Sequence, residues 1–212
     1  MTRNVLVAGA HGQVGQYVTD ILADSDHAVA GMIRDDDQAD EIESLGADPI
    51  VADLTESVED AVDGRDSIVF TAGSGGGDVY GVDRDGAINL VEAAEEAGVE
   101  RFLMLSSMGA DDPQSGPDAL EDYLVAKAAA DDFLRESDLA HTIVRPGELT
   151  NEPGDGTIRV GDFELGDGDI PREDVAQTLV AALERDDLAG ATFELLAGDE
   201  PIERALEGID AA

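Results

Sequence analysis

Apolar positions along the first two-thirds of the chain alternate between two spacings. Short, nearly continuous apolar runs occur at Asn4–Ala8 (NVLVA), His27–Arg34 (HAVAGMIR), Pro49–Ala52, Ser67–Ala72 (SIVFTA), Arg101–Ser106 (RFLMLS) and His141–Arg145 (HTIVR). Runs of this length, rich in β-branched residues, predict strands covered on both faces. Between them lie segments of helical period. Val14, Val18, Ile21 and Leu22 share one face; Asp36–Leu45 is ended by Gly46, a short helix reaches Gly64, Val82–Ala97 is stopped by Gly98, and Leu120–Glu136 precedes the sixth strand. Glycine just past the last periodic residue is a helix-stop signal. Strict β-α alternation predicts an α/β fold with an open, doubly wound parallel sheet of the Rossmann type. After Pro146 the pattern is less regular. Thr157–Leu165 predicts a small hairpin turning near Gly161-Asp162, Pro171–Leu183 a helix with proline in its first turn, and Ala191–Leu196 another strand. With no repeat and no linker, residues 1–212 are expected to form one domain, residues from about 147 to 212 contributing a substrate-side elaboration.

Composition narrows the class. The 212 residues contain no cysteine, which excludes a disulfide framework and a thiolate metal site. His11, His27 and His141 are too scattered to suggest a metal centre. The apolar start, Met1 to Gly9, lacks a cleavage pattern, and no apolar stretch approaches the ~20 residues that span a bilayer. A cytoplasmic protein without membrane attachment is expected. Fifty acidic residues against twelve basic ones give a net charge of −38, spread through every segment. That leaves no basic stripe for nucleic acid. It fits a protein of a very salty cytoplasm, a halophile, where a Debye length of ~3 Å at 1 M screens self-repulsion. The chemistry left is that of a small-molecule site, on a monomer or homodimer.

The first strand runs into Gly9-Ala10-His11-Gly12-Gln13-Val14-Gly15, a G-x-x-G-x-x-G spacing that opens the first helix. Such glycines allow a tight exit from the strand, close approach of backbone to a diphosphate, and close helix–strand packing. The helix start supplies N–H groups and partial positive charge to the phosphates. About twenty residues further on, where the adenosine ribose is contacted, stands Arg34, followed by Asp35. An arginine suits a 2′-phosphate and so favours NADP(H); the rival is Asp35 on a 2′-hydroxyl, which would favour NAD. Asp53 and Leu54 follow strand three at the crevice edge and are expected at the adenine. Ala72-Gly73-Ser74 follow strand four and put small residues beside the cofactor.

Tyr123 and Lys127 share one face of a predicted helix, at i and i+4. A nearby ammonium stabilises a phenolate, which lets a tyrosine exchange protons near neutral pH. The same lysine can bond the nicotinamide ribose. Lys127 is the only lysine, beside eleven arginines, and lies four residues after one of three tyrosines. Arginine would serve any surface ion pair, so lysine here points to a task arginine cannot fill. Ser106-Ser107 ends strand five at the crevice; a hydroxyl there either orients a substrate carbonyl or satisfies local backbone.

These motifs together resemble the short-chain dehydrogenase/reductase superfamily. The sequence looks most like its small atypical NAD(P)H-binding branch, related to epimerase/dehydratase-like proteins, NmrA-type proteins and biliverdin-IXβ/flavin reductase. Besides the glycine loop and Tyr123/Lys127, the likeness runs through Asp85-Gly86-Ala87-Ile88-Asn89-Leu90, Arg101–Ser107, Thr142–Gly147 and Ile170-Pro171-Arg172-Glu173-Asp174-Val175-Ala176. It implies Tyr123 as acid/base, Lys127 as its partner, and Pro146-Gly147 near the nicotinamide. The hydroxyl that extended members carry just after a serine pair falls here on Met108, leaving Ser107 as the candidate substitute. The short C-terminal part leaves little room for a nucleotide-sugar. The expected function is NADP(H)-dependent reduction of a small carbonyl or similar hydride acceptor. The alternatives are a non-catalytic NADP(H)-sensing protein and a flavin or tetrapyrrole reductase.

Overall fold

A computed structural model describes residues 2–209. Its first half follows the expected alternation: β1 (Asn4–Ala8), α1 (Gln13–Ala23), β2 (Ala28–Ile33), α2 (Ala39–Ser44), β3 (Asp48–Val51), α3 (Glu59–Val62) and β4 (Ser67–Phe70). Then come α4 (Ala87–Ala97), β5 (Arg101–Leu105), α5 (Glu121–Glu136) and β6 (Ala140–Pro146). The remainder holds β7 (Glu148–Thr150), β8 (Thr157–Gly161), β9 (Asp169–Pro171), α6 (Arg172–Leu183), β10 (Thr192–Ala197), β11 (Glu200–Pro201) and α7 (Ile202–Leu206).

Nine strands form one sheet in the order β11-β8-β10-β6-β5-β4-β1-β2-β3. Strands β1 to β6, together with β10, run parallel, and β8 is antiparallel to both β10 and β11. The order 3-2-1-4-5-6 within it is that of the Rossmann fold, and its direction reverses between β1 and β4. A ligand crevice therefore opens at the carboxyl ends of β1 and β4. The apolar runs are continuous because successive residues feed opposite cores. Val5 and Val7 pack with α1, α2 and α6, whereas Leu6 and Ala8 pack with α3, α4 and α5. Leu103 and Leu105 join the first core, Phe102 and Met104 the second.

Two expectations are corrected. Thr157–Leu165 is not a hairpin. Both edges of β8 are already taken by β10 and β11, and Phe163 beyond it turns out of the sheet, its amide donating to the Glu194 carboxylate at 2.8 Å. The helix expected from Val82 begins earlier, as a wide π-helical segment Val79–Gly86 that passes into α4. The Asp78 carboxylate caps it by accepting from the Gly81 amide. The extra residue per turn in a π-helix shifts the helical face, and here it turns Asp83 inward.

Candidate functional site

Each glycine of the first loop has its own geometric reason. Gly9 has φ +87°, and a Cβ there would lie 2.6 Å from the Ala72 backbone, so β1 can leave the sheet only through glycine. A Cβ on Gly15 would come within 2.1 Å of the Gly9 carbonyl oxygen, so α1 sits on the loop too closely for any side chain. Gly12 differs. A Cβ there would meet only the Gly9 oxygen, at 3.1 Å, and otherwise face the cleft. Gly12 also caps α1 without a side-chain acceptor, and the amides of Gln13 and Val14 find no acceptor among the described residues. Bare amides at a helix start, with no methyl above them, fit an anionic diphosphate. Gly9, His11, Gly12, Gln13 and Val14 line the cleft, while Gly15 stays beneath it. The His11 ring is held by Glu41, its Nε2 lying 2.9 Å from the carboxylate.

On the adenosine side, Arg34 follows β2 with its side chain 72 % exposed, its Nε donating to the Asp35 carboxylate at 3.2 Å. Arginine and aspartate are thus a pair, of which Arg34 lines the cleft. Asp53 follows β3 and accepts from both the amide and hydroxyl of Thr55, at 2.8 and 2.7 Å. These bonds, opposed slightly by burial and aided by Arg34, lower its carboxyl below the ordinary range. Leu54 is buried beside it, its carbonyl bonded by Asn89 Nδ2 at 2.9 Å.

Ala72, Gly73 and Ser74 line the cleft after β4, followed by Gly75, Gly76 and Gly77. The Ser74 amide donates to Asp83 at 3.0 Å, while its hydroxyl oxygen is buried with no partner. Asp83, 1 % exposed, comes from the π-helical segment and lies 3.9 Å from the Lys127 ammonium. Sequence reasoning passed over Asp83. It is one acid among fifty, and only the widened turn aims it inward.

Tyr123 and Lys127 lie on one face of α5 and both line the cleft. Lys127 is 3 % exposed; its Nζ donates to the Leu105 carbonyl at 2.9 Å and stands 5.9 Å from the Tyr123 ring centre and 5.7 Å from that of Phe70. The tyrosine hydroxyl has no partner among the described residues. Neither hydroxyl of the serine pair takes the carbonyl-orienting role. Ser106 borders the cleft, but its hydroxyl donates to buried Asp131 at 2.8 Å. Ser107 lies off the cleft, its hydroxyl donating to the Met108 carbonyl at 3.2 Å. Met108 is fully buried. Pro146 is also off the cleft; its carbonyl accepts from the Met108 amide at 3.0 Å and so fixes the exits of β5 and β6 together. Beneath them Asp131 binds Arg145 at 2.9 Å and keeps one carboxyl oxygen unpartnered. Burial raises its carboxyl above the ordinary range, against the pull of Arg145.

The cleft encloses about 980 Å³, large enough for a dinucleotide and a small second molecule. Beyond Tyr123 its wall is completed by Ala119, Leu120, Leu149 and Arg172. Among the described residues no group of three or more His, Asp and Glu side chains could hold a metal ion, and no helix is long and apolar enough to cross a membrane.

Residues 9–186 match the NAD(P)H-binding family. The chain belongs to that family. It is 42% identical over 211 residues to the "uncharacterized sugar epimerase" YhfK of Bacillus subtilis, covering 96% of this chain and 98% of that one. A Bacillus halodurans structure, named provisionally as a NAD-dependent epimerase/dehydratase, superposes with a TM-score of 0.93 at 40% identity, covering 97% and 99% of the two chains. The oxidoreductase YlbE of Lactococcus lactis gives 0.88 at 30% identity, with 96% and 95% covered. The resemblance to the atypical NAD(P)H-binding branch of the short-chain reductases therefore holds over almost the whole chain. As a member of the NAD(P)H-binding family, the protein has an oxidoreductase-like fold whose glycine loop, crevice edge and α5 face converge on one cleft. The match begins at Gly9, the residue whose backbone only glycine can adopt here.

Proposed function

We propose that the protein is an NADP(H)-dependent reductase of a small carbonyl compound or similar hydride acceptor, acting as a single cytoplasmic domain. The observation that carries this reading is that Tyr123 and Lys127 open on the same cleft as Gly12 and the bare start of α1. The amides of Gln13 and Val14 would bind the diphosphate, Asp53 and Leu54 the adenine, and Arg34 a 2′-phosphate. A dinucleotide held there would supply the hydride needed at the carbonyl carbon. Tyr123 gives the matching proton to the carbonyl oxygen, and the Lys127 ammonium stabilises the phenolate left behind. Asp83 and the Leu105 carbonyl hold that ammonium in place.

The experiment is NADPH oxidation over a panel of aldehydes and ketones in molar KCl. Tyr123→Phe is expected to lower kcat by about 100-fold or more, the usual worth of a positioned acid, with NADPH affinity kept. Full turnover by that variant on a substrate of the native protein would refute the role. A second reading, flavin or tetrapyrrole reduction, is favoured by one observation: no hydroxyl of the serine pair faces the cleft. It predicts reduction of free flavin that Tyr123→Phe leaves intact. Dinucleotide binding with no turnover at all would favour a non-catalytic sensor.

A further inference from the structure

Arg172 begins α6 and projects into the cleft beyond Tyr123. The small β7–β9 pair, in which Thr150 stands opposite Pro171, brings it there. One guanidinium nitrogen is fixed on the β7 side of that pair, donating to the Leu149 carbonyl and to Asn151 Oδ1, each at 2.9 Å. The rest of the head has no partner among the described residues, and no carboxylate lies within ion-pair distance of it. Arg65, Arg101 and Arg159 likewise have no carboxylate partner among the described residues, but none of them lines the cleft. The other cleft cations are engaged: Arg34 with Asp35, and Lys127 with the Leu105 carbonyl and Asp83. The adjacent acids are turned away, Glu173 accepting from the Gly154 amide at 3.0 Å and Asp174 from the Gly156 amide at 2.8 Å.

A guanidinium held rigid by one nitrogen while the others face a cleft is prepared for a planar anion. Leu120 and Leu149 give the cleft apolar surface beyond Tyr123, and the Asp122 carboxylate that also lines it accepts from the Tyr80 hydroxyl at 2.8 Å. We infer that Arg172 is a specificity residue that selects acceptors carrying a carboxylate on an apolar body, with the reducible group directed toward Tyr123. This rests on the reading of the cleft as a reductase site, but the anion site itself can be tested apart from it.

Two matched probe pairs serve: benzoate against methyl benzoate for binding, and 4-carboxybenzaldehyde against methyl 4-formylbenzoate for NADPH oxidation. Salt is held constant, and binding is followed by NMR titration with and without NADP⁺. The full chain is expected to bind benzoate at least tenfold more tightly than its ester, as a charge-assisted hydrogen bond implies (roughly 10–100-fold). Arg172→Gln should abolish that preference with NADPH affinity unchanged and a melting temperature lowered only by the loss of the Leu149 and Asn151 bonds, and Arg172→Lys should keep part of the preference. Equal binding of acid and ester by the native protein, or undiminished benzoate binding by Arg172→Gln, overturns the inference. Selective benzoate binding without reduction of either aldehyde supports the anion site while the reductase reading fails. Reduction of both aldehydes with equal kcat/KM supports the reductase and overturns the selection.

Discussion

The three loop glycines allow one local perturbation to be directed at two different properties. Gly15→Ala adds a methyl whose carbon would sit 2.1 Å from the Gly9 oxygen, 2.9 Å from the Gly9 carbonyl carbon and 2.9 Å from Thr71 Oγ1. Two of these atoms are backbone, and Gly9 is itself wedged against Ala72, so little can move. Overpacking of this kind costs about 1–3 kcal/mol, and this contact belongs at or above the upper end. Alanine regains about 1 kcal/mol of helix propensity over glycine within α1. The net loss is about 2 kcal/mol, or roughly 4–8 °C in Tm for a chain of this size. Gly12→Ala adds a methyl that meets one atom at 3.1 Å and otherwise enters the cleft. Stability should change by less than about 1 kcal/mol, since alanine is only a somewhat poorer cap than glycine. The methyl would instead hold a diphosphate away from the Gln13 and Val14 amides. Losing one charge-assisted hydrogen bond, about 1.5–3 kcal/mol, weakens dinucleotide binding roughly 10–100-fold. Thermal melts and fluorescence titration with NADPH measure the two effects on the same preparations. A Gly15→Ala protein that melts with the native one, or a Gly12→Ala protein that binds NADPH at native affinity, would refute the assignment of packing to one glycine and ligand approach to the other.

Arg34→Ser should weaken NADPH binding roughly 10–100-fold and leave NADH nearly unaffected; equal losses for both would remove the 2′-phosphate contact and return the choice to Asp35. With a charge of −38, the midpoint of unfolding should climb as KCl is raised from 0.1 to 2 M, where the screening length falls from about 10 Å to less than about 3 Å; a flat series would count against a salt-adapted surface. Burial raises the Asp131 carboxyl in the folded state above its ordinary 3.8, so the folded state binds the proton more tightly than the unfolded one. Native stability should therefore lose ground as pH rises from about 4 through the raised folded value, whereas Asp131→Asn lacks this component. The stability difference between the two, from urea melts at successive pH values, should move in favour of the variant with rising pH; a constant difference would show that the carboxyl is not perturbed.

The parts of this site that could be read from the sequence are those fixed by short spacings. Gly9, Gly12 and Gly15 act within a single turn of chain, and Tyr123 and Lys127 within one helical turn, so their mutual placement follows from local geometry. The open, doubly wound parallel sheet was legible because β-α alternation leaves few ways to wind a sheet. What escaped depends on direction over longer range. Asp83 reaches the cleft through the π-helical segment, and no hydrophobic period announces an extra residue in a turn. Ser106 and Ser107 follow the end of β5 as read, and the Ser107 hydroxyl satisfies local backbone, one of the two roles open to it, but the Ser106 hydroxyl is drawn away by Asp131, whose position is set by packing. The hairpin at Thr157 failed because β8 spends its edges on strands forty residues later. Arg172 lies within one of the family-like motifs, yet its freedom from a carboxylate among the described residues is visible only once Glu173 and Asp174 are seen to turn away.

Lys127 shows how composition and geometry come to the same point. The protein uses arginine at every other basic position, and its buried arginines show what that side chain demands. Arg101 takes the Thr142 hydroxyl and the carbonyls of Ala140, Ala182 and Arg185, yet its Nε still lacks a partner, and burial pulls its pKa down to about 10. Arg145 needs Asp131, with Asp111 at 3.6 Å besides. The space around residue 127 offers far less: one carbonyl, one carboxylate at 3.9 Å and the faces of two aromatic rings. A planar head with five donors would leave several N–H groups unsatisfied there, each at about 1–3 kcal/mol. An ammonium has three. One goes to Leu105, one points toward Asp83, and the third is left for the cleft beside Tyr123. The absence of lysine elsewhere is a property of the surface; its presence here follows from a pocket that can satisfy only a small cation while keeping one proton for the ligand.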